Sequence, residues 1–157
     1  MRNAWDNAHR KYLDNLNEVL LVGNIYKSLV CKAPLFSENL TDLLRVQLVN
    51  TLSAFDHLIH EYVRVGLEKQ LIGEHPPTAK TGTFTLDIDR YLKLSKLGSS
   101  PNEILQKHQV LSSRVDSVLR TLTFQSPEKI KDALSYIWEE THKWQVLSQE
   151  MNLSEKV

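Results

Sequence analysis

Two residues one helical turn apart, Asp56 and His60, are the pair in this sequence best placed to do chemistry. They lie inside LTDLLRVQLVNTLSAFDHLIHEYVRVGLEKQL, residues 40–71. A carboxylate and an imidazole at i and i+4 share one helix face and can interact directly. Such a couple serves either as a satisfied, half-buried structural pair or as part of a site that moves protons, and residue types alone leave both readings open. Arg45 falls on the same edge of the helix, about 16 Å further along the axis, too far to join them unaided. His57, Glu61 and Arg64 fall on the opposite side and read as solvated pairs at i,i+3 and i,i+4.

Other candidates are weaker. Asp56, His60 and Glu61, and again Glu139, Glu140 and His142, gather acidic and imidazole groups. Neither set has the H-E-x-x-H or cysteine spacing of a metal centre, so no metal and no cofactor is implied. Lys80-Thr81 invites comparison with a phosphate-binding loop, but Glu74 and Ala79 stand where its glycines are required and no strand precedes it. The single cysteine, Cys31, has no histidine at a paired spacing and reads as a buried thiol. His108 reads as a packed, hydrogen-bonded interface histidine. Trp138 and Trp144 read as core or interface anchors, since no basic patch accompanies them.

The elements that must position these groups are helical. Trp5, Ala8, Tyr12, Leu16, Val19, Leu20, Val22, Tyr26 and Val30 keep helical spacing over residues 4–30, and residues 18–25 are apolar almost all round, which predicts cover from more than one neighbour. Pro34 stops this helix near Lys32, and Asn39 or Thr41 would cap the next. In that central helix Leu44, Leu48, Leu52, Phe55, Ile59, Tyr62 and Val63 share one face. A loop follows through IGEHPPTAKTGT. A short helix comes next, capped by Asp87 and closed by Gly98. Ser100-Pro101 with Glu103 forms the clearest helix start in the chain. Ser126-Pro127 repeats the device, and residues 138–151 predict a further helical segment. The pattern predicts an all-α fold: one domain over residues 1–157, an antiparallel up-down helical bundle of two long and several shorter helices, with residues 66–100 a loop plus a short helix.

Lysine plus arginine and aspartate plus glutamate each number 19, so no global basic field collects nucleic acid and only local patches could hold it. One cysteine rules out an internal disulfide and suits a reducing compartment. The opening MRNAWDNAHRKY lacks the apolar core of a signal peptide. No apolar run approaches the roughly 20 residues that span a bilayer. The expectation is a soluble, cytoplasmic protein with no membrane association.

The segment LLRVQLVNTLSAFDHLIHEYVRVGL, with Asp56 inside an apolar helix, and the later FQSPEKIKDALSYIWEETHKW resemble the HEPN superfamily, and within it the RiboL-PSP group. With Arg45, the resemblance covers residues 40 to 151. It implies a helical bundle that pairs as a homodimer and, in many members, cuts RNA without metal. It also implies toxin or defence systems, where a protein antitoxin can be the partner. The implied chemistry uses an Arg-x4-6-His motif on a last helix. The histidine acts as acid or base in attack by the ribose 2′-hydroxyl, and the arginine steadies the phosphate charge. Asp56, with His60 and Arg45 in supporting roles, would orient or tune these groups.

The sequence departs from that pattern at the motif itself. No arginine follows Arg120, and the one arithmetical match, Arg2-Asn3 with His9, lies at the opposite end of the chain and reads as coincidence. The expectation is a HEPN-like domain without its catalytic last helix, a truncated or binding-only member, inactive by itself on RNA. The alternative is a non-catalytic helical module for dimerisation or protein interaction.

Overall fold

Two long helices carry the structure, a computed structural model that describes residues 4–32 and 37–154. Arg2, Asn3 and Pro34 lie outside those residues, as do the side chains of Asn39 and Met151. Helix α1 spans Ala4–Lys32, with Asp6 in its first turn and Lys32 in its last, each sign placed to suit the helix dipole. Helix α2 spans Ser37–Leu71, 35 residues. It starts before Asn39 and Thr41, so neither residue flanks the helix as a cap. Trp5 meets Tyr62 edge-on at 5.4 Å and Tyr12 meets Phe55 at 6.4 Å. Gly23 lies against Gln47. Partner numbers fall along α2 as they rise along α1, so the two helices pack in opposite senses.

Four shorter α-helices follow, α3 (Ile88–Ser95), α4 (Pro101–Leu119), α5 (Pro127–Leu134) and α6 (Lys143–Ser154), so the described residues hold six α-helices, a 3-10 turn at Thr81–Thr83 and no strand. Their starts are local chemistry. Asp87 accepts the Arg90 N–H at the start of α3. Ser100 and Glu103 form a reciprocal capping box at α4, and Ser126 accepts the Lys129 N–H at α5. Gly98 does not close α3. The helix ends at Lys96 in right-handed geometry, and Gly98 instead leaves room for the Glu103 carboxylate. Residues 138–142 are not helical. Glu140 accepts the His142 N–H there, and α6 begins at Lys143.

The core is built from the second half of α2. Ile59, Val63 and Leu67 pack against Val115 and Leu119 of α4, Phe124, and Ile130 and Ala133 of α5. Val63 is completely buried. Here the expected apolar face holds. It fails from Leu52 toward the amino end of the helix, because α4 and α5 do not extend over the first half of α2. Leu44 is 40%, Leu48 61% and Leu52 46% exposed. Likewise Leu20, Leu21 and Ile25 of α1 stay exposed. The apolar girdle at residues 18–25 is covered chiefly by α2 and not by several neighbours. A two-helix arm thus projects from the core with its outer apolar side chains uncovered.

The loop between α2 and α3 is fastened to the rest of the chain. Thr78 is buried, and its hydroxyl lies 2.9 Å from Ser135 O and 3.2 Å from Tyr136 O. Gln70 donates to Tyr136 O at 2.8 Å, and Ala79 N–H to Glu139 Oε1 at 2.8 Å. Lys80 pairs with Asp132 and sits 4.6 Å above the Tyr136 ring. Thr81 Oγ1 donates to Gln70 Oε1 at 2.6 Å and lies 3.0 Å from Tyr136 O, so Lys80 and Thr81 are both engaged with the rest of the chain. No helix among the described residues is long and apolar enough to cross a membrane.

Candidate functional site

Asp56 and His60 meet as their spacing predicts, with His60 Nδ1 3.4 Å from Asp56 Oδ2. What their spacing could not predict is the rest of their surroundings. Asp56 Oδ1 accepts the backbone N–H of Phe124, 68 residues away. His60 Nδ1 also lies 2.8 Å from Asp56 O. His60 Nε2 lies 3.0 Å from Leu119 O and 3.2 Å from Leu122 O. The Phe124 ring leans on the imidazole at 4.4 Å. Leu119 ends α4, and its carbonyl accepts the Leu122 backbone N–H at 3.0 Å with His60 Nε2 beside the same oxygen. The atoms within reach of the two ring nitrogens are all oxygen acceptors. A neutral imidazole donates to one side and an imidazolium to both. The couple therefore ties α2 to the α4–α5 corner, while each side chain keeps about a fifth of its surface open.

That open surface borders a groove of about 650 Å³ between α2 and the end of α4. Ser53, Asp56, His57, His60, Glu61 and Arg64 line it from α2, and Asp116, Leu119 and Arg120 from the α4 side. His57, Glu61 and Arg64 thus share one groove with Asp56 and His60, which corrects the expectation of an opposite, solvated side. The reason is the placement of α4, whose carboxyl end brings its own charges across that side of α2. Arg64 reaches Glu61 at 2.7 Å and Glu68 at 3.0 Å. The Glu61 hydrogen bond, together with both carboxylate charges, holds the Arg64 guanidinium above its ordinary value despite burial. The same hydrogen bond holds Glu61 below the usual carboxylate range. Arg120 is exposed, and its guanidinium makes no hydrogen bond or ion pair among the described residues. It is the groove's uncommitted cation.

Arg45 is not in this groove. It pairs with Asp42 at 2.8 Å on the projecting arm, both side chains mostly in solvent. His108 is half-buried and makes no hydrogen bond among the described residues, so the expected bonded histidine is only packed. Cys31 is exposed, against the expectation of a buried thiol. Trp138 receives the Lys143 ammonium over its ring at 5.6 Å. Among the described residues no three His, Cys, Asp or Glu side chains gather as a metal site. Sequence reasoning missed Asp116 and Arg120, and no local signal could have found them. They reach the groove only through the packing of α4 on α2. Arg64 had a signal, its place one turn beyond His60 on the same helix.

The groove offers a carboxylate–imidazole couple, a guanidinium braced by two carboxylates and a second guanidinium free to meet an anion. Its lining sets three carboxylates, Asp56, Glu61 and Asp116, against two guanidiniums, Arg64 and Arg120, so Arg120 is its point of contact for an anion. Comparison with family models, with curated proteins and with solved structures finds no match.

Proposed function

We propose that this chain is a HEPN-like helical domain of the metal-independent endoribonuclease kind found in toxin and defence systems. In this reading it supplies the scaffold and an RNA-facing groove, and does not itself cut RNA. The observation that carries the reading is the Asp56–His60 couple set at the margin of a polar groove beside an uncommitted Arg120. Residues 121–157 hold no arginine, so the Arg-x4-6-His pair that would perform the acid–base and phosphate-charge roles is not supplied there. Asp56 and His60 then act as positioning residues that fix the α4–α5 corner, and Arg120 meets the phosphate. The reading includes an up-down antiparallel order for the whole bundle, a homodimer, a cytoplasmic setting and a protein antitoxin as partner.

The test is binding and cleavage measured together, with a fluorescent single-stranded RNA in EDTA. The expected result is salt-dependent binding without cleavage, weakened by Arg120→Ala. Loss of one phosphate contact reduces the slope of log affinity against log salt by about 0.7 for a single strand. RNA cleavage by this chain, or an affinity unchanged by Arg120→Ala, refutes the proposal.

A second reading, a non-catalytic interaction module, is favoured by one specific observation: the uncovered leucines and valines of the α1–α2 arm. It predicts no RNA binding at all, so the same titration separates the two.

A further inference from the structure

The groove beside Asp56 and His60 does not end at Ser53. Ser53 and His57 also line a second recess of about 500 Å³ between α1 and α2, so the two cavities run into one another along one side of α2. The joined trough has α2 as its floor, the end of α4 as one wall and the middle of α1 as the other. Asn15 and Glu18 line the second recess from α1, and Asn50 from α2. Asn50 and His60 stand ten residues apart on α2, about 15 Å along the axis, so a short strand of nucleotides and not a single one reaches both ends. We propose that the recess at Asn15, Glu18 and Asn50 is the base-reading subsite of this groove, selecting a base with an outer amino group, adenine or cytosine, over uracil. The inference rests on the RNA-binding reading above and adds to it the rule by which a strand is chosen.

The side chains of Asn15, Glu18 and Asn50 make no hydrogen bond or ion pair among the described residues, so their polar atoms are free to meet a ligand. Each amide presents a carbonyl oxygen beside an N–H. Adenine and cytosine each present an amino group beside an acceptor ring nitrogen, which is the complementary pair. The amino group has a second hydrogen, and the Glu18 carboxylate, an acceptor only, is there to take it. Uracil places a carbonyl oxygen where the amino group stands. That oxygen would face a carboxylate with no hydrogen to share, and a buried acceptor without a donor is penalised.

Shape and charge along the trough agree with this division. Buried Val19 and Ala54 give the recess an apolar floor, and the exposed imidazole of His57 stands where the two cavities meet. The flat face of a base therefore has apolar and ring surface to lie against. The uncommitted cation, Arg120, belongs to the α4 end, whereas the recess holds a carboxylate and no cation. A phosphate is drawn to the first end and an amino-bearing base edge to the second. Phosphate contacts position a strand and base contacts specify it, so each end of the trough performs one of the two tasks.

Fluorescence anisotropy of the full chain with end-labelled hexamers of adenosine, cytidine and uridine tests the assignment. The adenosine and cytidine hexamers should bind about fivefold or more tighter than the uridine hexamer, the value of one well-placed pair of base contacts. Glu18→Gln, whose amide can turn either atom to the base, and Asn50→Leu should each bring the three within about twofold of one another. Neither should alter the slope of log affinity against log salt, because neither meets a phosphate. Arg120→Ala should do the reverse, lowering the slope and leaving the preference. Asn17→Ala, on α1 but outside both cavities, should change neither. All four positions are exposed, and circular dichroism checks that each variant folds. Binding that depends on Arg120 but is equal for the three hexamers overturns the subsite and leaves the RNA reading standing. A preference that Glu18→Gln and Asn50→Leu abolish, with an affinity indifferent to Arg120→Ala, upholds the subsite and refutes the phosphate contact. A preference for uridine, or one that survives both recess variants, overturns the proposal, and no binding of any hexamer overturns it together with the RNA reading.

Discussion

Replacing Asp56 by alanine tests the structural account most directly. The substitution removes the acceptor of the Phe124 N–H, which lies in the corner joining α4 to α5, where the Phe124 side chain is 3% exposed. Leaving such a donor without a partner costs about 1–3 kcal/mol. Loss of the contact with His60, whose two side chains keep a fifth of their surface in water, adds less than about 1 kcal/mol. The expected total for Asp56→Ala is about 1–4 kcal/mol. Asp56→Asn keeps an oxygen for Phe124 N–H and loses only the charge, so it should cost about 1 kcal/mol. The assay is urea unfolding followed by tryptophan fluorescence, at one fixed chain concentration because association would add to apparent stability. A double-mutant cycle with His60→Gln should show coupling of at least about 0.5 kcal/mol, as residues of one network do. If Asp56→Ala costs less than about 0.5 kcal/mol, the value of an ordinary surface change, then Asp56 does not hold the corner and the reasoning fails.

Two glycines in the long helices should respond with opposite signs. A Cβ on Gly66 would stand 2.8 Å from Ile137 Cβ and 3.3 Å from the Trp5 ring. Gly66→Ala should therefore destabilise by about 1–2 kcal/mol, overpacking outweighing the gain in helix propensity. At Gly23 the nearest atoms belong to the end of the Gln47 side chain, which can turn away, so Gly23→Ala should stabilise by up to about 1 kcal/mol in the same melts. Thr78→Val keeps the shape but loses the hydroxyl contacts to Ser135 O, Tyr136 O and Thr81. It should cost about 1–2 kcal/mol and raise hydrogen exchange in residues 78–83. Burial, with the Asp6 charge second, raises the Tyr62 phenol above its ordinary value. The folded chain thus holds that proton more tightly than the unfolded one. The contribution is complete below the unfolded value of about 10 and is lost as pH rises through the folded value. Tyr62→Phe should abolish that part of the alkaline loss of stability, and an identical pH profile in the two proteins would contradict it.

The sequence by itself determined what lies within a helical turn of its cause. Asp87, Ser100 with Glu103, and Ser126 start their helices through bonds to backbone three residues away, and steps of three and four residues suffice to see the two long helices and the Asp56–His60 contact. Tertiary structure decided which apolar residues are covered. Leu48 and Ile59 belong to the same apolar face in the sequence pattern, yet one is 61% exposed and the other 5%. Periodicity states that a residue faces the same way as its neighbours. It does not state where a second helix ends. The reach of α4 and α5 along α2 settled that, and with it the groove: Arg64 was drawn in and Arg45 left outside. Asp116 and Arg120 arrived from a helix 60 residues further along the chain. Burial and charge pairing across such separations depend on how helices dock, and no local spacing encodes that.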